Sequence, residues 1–435
     1  MGFAPLYPSY ESREPLMSDD QVTWVPPPRP EWLTTFNAEG QHTDLRNLVP
    51  LDAGELVETA KRATGFDDFG DEHWREPFEI LVKALDEEAA LNFFGRLMAR
   101  NDVLNWLKAL LGINAAFKQF PQIATEVIDR PLIIAALPRS GSSILFELLS
   151  LDPDLGSPLQ WEMMFPYPPP DAAARDSDPR IDICQHLVTQ WSRVAPSFAS
   201  IHQMDARLPN ECIYGQAACF TSEYFASQYQ IPSYMEFLAT RADWEFSYSF
   251  YKKLLQVLQF RNPRRHWLLK APSHMNYLPT IFEVFPDAKV LFTHRDPIVA
   301  QASVINLMGT LFWIRSDKPM EVAAFAGMLS PEAMAYTLNR SIDWLESGEI
   351  PKSQCFSSLY ADLIDSPVEA VRKIYDKAGM DFTEAAAQRI RDYLAAKPQG
   401  KFGKHKYEIA DPAEHARLRG VFALYQSYFG VPNEI

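Results

Sequence analysis

The segment from residue 131 to residue 149 constrains the fold of this 435-residue chain more than any other part of the sequence. Its first part, residues 131–137, is almost entirely apolar, as is typical of a strand buried on both faces of a parallel sheet. A short loop of small residues follows, and Leu145 and Leu149 then share one face of an amphipathic helix. We therefore predict a strand, a tight loop and a helix in direct succession.

The loop between this strand and this helix reads Pro-Arg-Ser-Gly-Ser-Ser and has the chemistry of an anion-binding site. Backbone N–H groups at the start of a helix have no partner within the helix, and the helix dipole places positive charge there. Gly141 lets a ligand come close to the backbone, and Ser142 and Ser143 add hydroxyl donors. Arg139 adds a planar positive charge. The loop predicts a phosphate-like ligand, although turns of this kind also occur in α/β proteins that bind nothing there.

The same loop departs from the common nucleotide triphosphate loop. That pattern needs a glycine where Ala136 stands and a lysine where Ser142 stands. A P-loop kinase-like phosphotransferase that uses ATP is therefore an alternative and not the first interpretation. A non-catalytic anion-binding protein of the same fold is the other alternative.

The composition is that of a globular protein with a full hydrophobic core. The chain has 47% hydrophobic and 22% charged residues, and its length suits one large domain with an attachment, or two domains. Its formal net charge of −15 disfavours nucleic acid and anionic membranes as partners. An anionic cofactor then needs a local basic region, and residues 397–406 provide one with four lysines, a histidine and no acid.

Cysteine usage and hydropathy indicate the cellular setting. The four cysteines are scattered and form no Cys-x-x-Cys pair, so neither a zinc site nor a disulfide framework is expected. The apolar runs fall short of the ~18 residues of a transmembrane helix. The first residues lack the basic-then-apolar order of a signal peptide. We expect a cytoplasmic protein without a metal, and the sequence leaves its oligomeric state open.

The order of the apolar patterns predicts an α/β fold with a P-loop-like parallel sheet flanked by helices. We divide the chain into an irregular arm with a helical extension at residues 1–128, the first 50 of them irregular, and a second domain at 129–435. Strands are expected at residues 131–137, 266–270, 289–294 and 355–360. Helices are expected at residues 51–62, 77–108, 275–285 and 367–378, with Gly379 as a stop, and Asp296 should cap another that begins at Pro297.

Three motifs in this order resemble those of the sulfotransferases that use 3′-phosphoadenylyl sulfate (PAPS). The loop around Arg139 resembles their 5′-phosphosulfate loop, which usually reads Pro-Lys/Arg-x-Gly-Thr-Thr. The stretch 266–274 resembles their lysine-containing strand end, and Arg295 with Ser303 resembles their 3′-phosphate motif. The likeness runs from about Asp129 onward and is greatest to the bacterial branch with Pro-Arg-Ser/Thr-Gly. The logic of the site resembles that of the tyrosylprotein sulfotransferases.

The resemblance implies a sulfotransferase fold, PAPS as cosubstrate, adenosine 3′,5′-bisphosphate (PAP) as product, and a set of donor-binding residues. By this resemblance the donor contacts are Arg139, Ser140, Gly141, Ser142, Ser143, Arg295, Ser303, Tyr360, Lys404 and His405. Each also has a structural interpretation. Arg295 can pair with an acid, Tyr360 can pack in the core, and the loop 400–407 can be a solvated basic loop.

The resemblance also implies catalytic roles for Arg139, Lys270, Glu162 and His274. Arg139 would grip the 5′-phosphate and the sulfonate, and Lys270 would stabilise charge on the bridging oxygen as the sulfonate leaves. A base must take the proton of the attacking hydroxyl. Glu162 is the first candidate because the tyrosylprotein branch has its glutamate base at a comparable point, and a structural ion pair is its alternative role. His274 competes, although it lies four residues after Lys270 and not two as in cytosolic sulfotransferases.

The acceptor pocket is expected within residues 160–260, a helical stretch rich in aromatic and Met side chains. Such a lining suits a small, largely apolar or aromatic acceptor with a hydroxyl group, such as a phenol, sterol, polyketide or hydroxylated lipid. The same aromatic side chains can equally form an ordinary core.

Overall fold

The computed structural model of this chain describes residues 24–196, 198, 203–396 and 412–434. Within these residues, five parallel strands form one sheet with the order β2-β3-β1-β4-β5. The strands are β1 (Leu132–Ala136), β2 (Leu155–Gly156), β3 (His266–Ala271), β4 (Lys289–His294) and β5 (Cys355–Leu359). The four predicted strands are confirmed to within two residues at each end, and β2 is an addition.

Helices cover both faces of the sheet and make up most of the remaining described chain. In chain order they are α1 (Glu31–Glu39), α2 (Leu45–Leu48), α3 (Ala53–Thr64), α4 (Arg75–Glu87), α5 (Phe93–Gln119), α6 (Ser142–Leu149), α7 (Gln160–Met164), α8 (Pro179–Val194), α9 (Cys212–Gln216), α10 (Glu223–Gln228), α11 (Pro232–Thr240), α12 (Trp244–Gln259), α13 (Leu278–Val284), α14 (Pro297–Arg315), α15 (Ala326–Leu329), α16 (Pro331–Ser347), α17 (Tyr360–Asp365), α18 (Pro367–Ala378), α19 (Glu384–Ala396) and α20 (Pro412–Phe429). The architecture is the predicted α/β fold with a helical extension before the sheet.

The central strand β1 shows why the sheet is apolar on both faces. Its residues are all buried, and successive side chains enter different hydrophobic clusters. Ile133 packs in the larger cluster with helices of the extension, whereas Ile134 packs with α6 and α18 on the opposite face. Because side chains alternate across a strand, a strand covered on both faces must be apolar throughout.

Two predicted helix boundaries are confirmed. The Asp296 side chain accepts a hydrogen bond from the Ile298 backbone N–H at 3.2 Å, and Pro297 is the first residue of α14. Gly379 ends α18 in the left-handed conformation with φ of 70°, which glycine adopts without steric cost. The helix predicted at 275–285 is a short 3-10 turn, Pro272–Asn276, followed by α13.

The single helix predicted at 77–108 is wrong, because the structure has α4 and α5 with a break between them. Asn92 ends the break by accepting a hydrogen bond from the Gly95 N–H at 2.8 Å, which is a helix N-cap. Ala90 has a positive φ of 47°, so the chain turns sharply before α5 begins. The expectation of an irregular arm is also wrong for residues 31–48, where α1 and α2 lie.

The apolar helix α14 follows the turn that carries Arg295. It is the one helix among the described residues that has the length and hydropathy of a membrane span, and 62% of its most apolar window is buried in the protein. Its Met308 and Phe312 pack with Trp24 in a separate hydrophobic cluster. A core helix of this kind passes the same test, and the cytoplasmic location stays a prediction.

Candidate functional site

The candidate site lies where neighbouring strands end. β3, β1 and β4 are adjacent and parallel, so the turns that follow them meet at one edge of the sheet. Ligand sites of open parallel sheets collect at this edge. The sheet order therefore brings together three segments that are distant in sequence: the loop 137–143, the end of β3 with Lys270, and the turn at Arg295.

The loop after β1 is held in a defined shape by Ser140. Its hydroxyl donates to the carbonyl oxygen of Leu137 at 2.8 Å and lies 2.7 Å from the hydroxyl of Thr293 at the end of β4. Arg139 and Gly141 on either side have φ values of 69° and 82°. Positive φ is uncommon for a residue with a Cβ, so the tight curvature of the loop places Arg139 in a strained conformation.

Tyr360 packs directly against this loop. A Cβ atom added at Gly141 would lie 2.5 Å from Cδ2 of Tyr360, so a side chain at residue 141 would force the ring or the loop to move. Tyr360 begins α17 after β5, the strand next to β4. The structure thus places Tyr360 beside the predicted anion loop and not within the core.

Arg295 joins the two predicted phosphate-binding turns. Its Nη1 donates to the carbonyl oxygen of Arg139 at 3.1 Å, and its guanidinium lies 4.1 Å from the centre of the Tyr360 ring. The same guanidinium forms an ion pair with Glu434, through Nε at 2.9 and 3.1 Å and through Nη2 at 2.9 Å. The acid that pairs with Arg295 is therefore one that follows the last helix.

Lys270 links the anion loop to the helices of the predicted acceptor region. Its Nζ donates to the hydroxyl of Ser143 at 3.3 Å and forms an ion pair with the carboxylate of Glu211. The Lys270 side chain is 4% exposed and that of Glu211 is 17% exposed. A buried lysine that reaches a loop built for an anion can place its charge on a group bound there.

His274 lies in the 3-10 turn after β3 and is buried. Its Nδ1 lies 2.8 Å from the hydroxyl of Tyr248, and its Nε2 is buried without a hydrogen-bond partner among the described residues. Burial, with a smaller contribution from the charge of Lys270, lowers the pKa of His274 to about 3. The imidazole is therefore neutral at neutral pH and is a weak base.

Glu162 forms a buried ion pair with Arg264. One carboxylate oxygen accepts from the Leu159 N–H at 3.1 Å, and the other accepts from Arg264 Nη2 at 3.1 Å. Burial raises the pKa of Glu162, and the charge of Arg264 opposes that effect. Arg264 precedes β3, whereas Lys270 lies four residues after His266, the first residue of that strand, or roughly 13 Å along it. The structure brings Glu162 to Arg264 and not to Lys270, so the structural alternative describes its contacts.

Two acidic residues were missed in the sequence: Glu211, which pairs with Lys270, and Glu223, which interacts with Glu211. Glu211 lies directly before α9, in the sequence Leu-Pro-Asn-Glu-Cys. Glu223 begins α10. Burial raises the pKa of Glu223 to about 7, and the negative charge of Glu211 also raises it, whereas hydrogen bonds from Asn276 and Tyr277 lower it. Only the fold, through the contact with Lys270, reveals that Glu211 lies at the site.

Three of the predicted donor contacts are not placed. Lys404 and His405 lie outside the described residues, and so does the side chain of Ser303, although its backbone belongs to α14. The described residues contain no group of three His, Cys, Asp or Glu side chains suited to a metal ion. The remaining predicted donor contacts lie close together: Arg295 contacts Arg139 and Tyr360, and Tyr360 packs against Gly141.

A sequence profile described as the sulfotransferase family matches residues 131–384, which include all three turns of this site. The chain belongs to the sulfotransferase family. It is 26% identical over 326 residues to omega-hydroxy-beta-dihydromenaquinone-9 sulfotransferase Stf3 of Mycobacterium bovis, a match that covers 71% of this chain and 76% of that protein. The Stf3 of Mycobacterium tuberculosis matches equally. The protein is thus a transferase of the PAPS-dependent class, as the three motifs predicted.

Solved sulfotransferase structures share the fold. The crystal structure of sulfotransferase STF9 from Mycobacterium avium has a TM-score of 0.76 and 26% identity, and the match covers 88% of this chain and 97% of that one. Sulfotransferase STF1 from Mycobacterium tuberculosis has a TM-score of 0.72 and 27% identity, with 85% and 98% of the chains covered. The sulfotransferase fold predicted from the sequence is confirmed.

Proposed function

We propose that this sulfotransferase moves the sulfuryl group of PAPS in line onto the hydroxyl of a small, largely apolar acceptor, at the sheet edge formed by β3, β1 and β4. The hydrogen bond from Arg295 to the Arg139 carbonyl carries this proposal, because it unites the two turns that would hold the two phosphate groups of one donor. Sulfuryl transfer, like phosphoryl transfer, needs positioning and fixed positive charge along the line of attack.

In this proposal the loop after β1 holds the 5′-phosphosulfate. The first N–H groups of α6, the hydroxyls of Ser142 and Ser143, and the Arg139 guanidinium would share its negative charge. Arg295, with Ser303, would bind the 3′-phosphate. Tyr360 lies against both Gly141 and Arg295, which supports a role beside the adenosine. Lys404 and His405 are retained as contacts from the loop 400–407.

Lys270 is proposed to stabilise the bridging oxygen as the sulfonate leaves. Its contact with the Ser143 hydroxyl places the ammonium next to the loop that would hold the sulfonate. A positive charge buried beside a breaking S–O bond lowers the barrier more than one in water, because the surroundings screen it less. No proton transfer is required of Lys270 in this role.

Glu211 is proposed as the general base, in place of Glu162. Its carboxylate contacts Lys270, which in turn contacts Ser143, so it lies one side chain away from the loop that would hold the sulfonate. An acceptor hydroxyl that enters between the loop and α9 would meet that carboxylate. His274 remains the alternative base, although its lowered pKa of about 3 makes it a poor one at neutral pH.

The acceptor is proposed to carry its hydroxyl on an apolar body. The helices that begin after Glu211 carry buried aromatic side chains that we propose line the acceptor pocket: Tyr214, Tyr224, Tyr248 and Tyr251. The name of the mycobacterial relative Stf3 describes an acceptor that carries its hydroxyl at the omega position of a dihydromenaquinone. The lining and the relative together favour a primary alcohol on a hydrophobic chain over a charged or polysaccharide acceptor.

The proposal is tested by incubating the enzyme with PAPS labelled in the sulfonate and a panel of long-chain alcohols, polyprenyl alcohols, phenols and charged sugars. We expect label in an apolar alcohol, and we expect PAP to bind more tightly than ATP with Mg²⁺. Tight binding of ATP that is indifferent to a 3′-phosphate would contradict the donor assignment. Transfer to charged sugars alone would contradict the acceptor assignment.

A further inference from the structure

The proposed donor site contains a carboxylate of the protein itself, that of Glu434. The Glu434 carboxylate lies against the Nε and Nη2 edge of Arg295, with three N···O distances between 2.9 and 3.1 Å. A paired arrangement of this kind is the one in which an arginine binds either a carboxylate or a phosphate. Arg295 Nη1 is engaged with the Arg139 carbonyl, so the edge that faces Glu434 is the one suited to an incoming phosphate.

The position of Glu434 is fixed from two sides. Its backbone N–H donates to Asp296 Oδ2 at 2.9 Å, while its side chain binds the neighbouring Arg295. Asp296 itself is fully buried and pairs with Arg419 of α20 at 2.7 Å. Glu434 therefore lies on the same turn that the 3′-phosphate would use, and α20 holds that turn through the contact of Arg419 with Asp296.

The segment between α20 and Glu434 also has internal contacts. The Val431 N–H donates to the carbonyl of Gln426 at 2.9 Å, and the Gln426 side chain donates to Asn433 at 2.9 Å. The ion pair is only partly shielded from water, since the Arg295 side chain is 16% exposed and that of Glu434 is 30% exposed. Such a pair is organised well enough to form in solution and exposed enough to exchange with a ligand.

We propose that Glu434 is an intramolecular competitor of the donor's 3′-phosphate: it occupies Arg295 when the donor site is empty and is displaced when PAPS or PAP binds. This inference rests on the proposed role of Arg295 in donor binding. The apparent dissociation constant of any ligand that uses Arg295 is then its intrinsic value divided by the fraction of molecules in which Glu434 does not occupy Arg295. After transfer, return of the carboxylate to Arg295 assists release of PAP.

The opposite role for Glu434 makes the opposite prediction. If Glu434 stayed in place and oriented Arg295 for the phosphate, its removal would weaken donor binding. If the contact had no bearing on the donor, its removal would leave the affinity unchanged. The sign of the effect on affinity therefore decides between the competitor and the two other roles.

The test measures the affinity of PAP and of adenosine 5′-monophosphate, which lacks the 3′-phosphate, by titration calorimetry on the full chain. For Glu434→Gln we expect PAP to bind about fivefold or more tightly, the lower end of typical coupling between sites, with no change for the monophosphate. Glu434→Ala, which also removes the hydrogen bonds, should tighten PAP at least as much. Glu414→Gln, at an exposed glutamate of α20 paired with Arg417, is the matched control and should change neither affinity.

The Arg295→Ala variant separates failure of this inference from failure of the proposed function. If it weakens PAP while Glu434→Gln leaves PAP unchanged or weaker, the competitor role is refuted and the donor site stands. If Arg295→Ala leaves the difference between PAP and the monophosphate intact, Arg295 does not bind the 3′-phosphate and both fail. Tighter PAP binding in the Glu434 variants, abolished when Arg295→Ala is combined with them, supports the competitor role.

Discussion

Arg295 donates a hydrogen bond from Nη1 to the backbone carbonyl of Arg139, at 3.1 Å and across 156 residues of sequence. Each residue belongs to a turn that the sequence predicts to bind a phosphate group. Their contact makes the two turns parts of one surface on adjacent strand ends. A ligand with two phosphate groups, one at each end of a nucleoside, is the kind of molecule that such a surface suits.

Replacement of Lys270 tests whether its ammonium stabilises the bridging oxygen as the sulfonate leaves. We expect Lys270→Ala to lower kcat by about 10²- to 10³-fold, the typical cost of losing one preorganised group that stabilises developing charge. PAP keeps the former bridging oxygen in its 5′-phosphate, so the affinity for PAP should also fall, but by less than kcat. A steady-state assay together with PAP titration checks both, and a large loss of PAP affinity with unchanged kcat would contradict the role.

Two glutamates that look alike in the sequence should behave differently. Glu211→Gln should lower kcat strongly, and turnover is measured per folded molecule because the change also leaves the buried Lys270 ammonium without its carboxylate. A Glu211→Gln enzyme with the parental kcat would contradict this role and leave His274 as the candidate base.

Glu162→Gln should instead destabilise the fold. It leaves the buried guanidinium of Arg264 without its carboxylate, and breaking a buried ion pair costs about 3–5 kcal/mol. Chemical denaturation would measure the loss in free energy of unfolding, and the folded fraction should retain its turnover. Lost turnover in a fully stable Glu162→Gln protein would restore the first expectation from the sequence.

The turn at Gly141 should not tolerate a side chain. Gly141→Ala combines a φ of 82° with a Cβ that would lie 2.5 Å from the Tyr360 ring. The strain alone costs about 1–2 kcal/mol, and the ring or the loop must also move. PAP affinity should fall at least tenfold by titration calorimetry, whereas Gly379→Ala, at a helix end away from the site, should leave PAP affinity unchanged.

Glu223 should give the fold a measurable dependence on pH. Its pKa rises from 4.5 to about 7 on folding because burial disfavours the carboxylate. The folded chain then holds a proton that the unfolded chain releases, so its contribution to stability is present below pH 4.5 and is lost as the pH rises to about 7. Glu223→Gln should remove a decline of about 3 kcal/mol across that interval. Equal pH dependence of unfolding in variant and parent would contradict this.

The sequence predicts the residues proposed to bind the donor more completely than those proposed to bind the acceptor. The turns at Arg139, Lys270 and Arg295 follow buried parallel strands, and local pattern predicts both the strands and their common edge. The caps at Asp296 and Gly379 are local as well, and both are confirmed. These features depend on residues close in sequence, which is why they can be predicted.

The partners of buried charges could not be predicted in the same way. Glu162 pairs with Arg264 across 102 residues of chain, and Lys270 pairs with Glu211 across 59. Strand β2 has two residues, too few for any periodicity to show. The choice between Glu162 and Glu211 depends on which end of β3 each one reaches, and only the fold determines that.

A crystal structure of the PAP complex tests the central claim most directly. The account predicts the 5′-phosphate in the loop 138–143 and the 3′-phosphate on Arg295, with the Glu434 carboxylate moved away from that guanidinium. A complex in which the 3′-phosphate faces solvent, or in which either turn makes no contact with PAP, would contradict it.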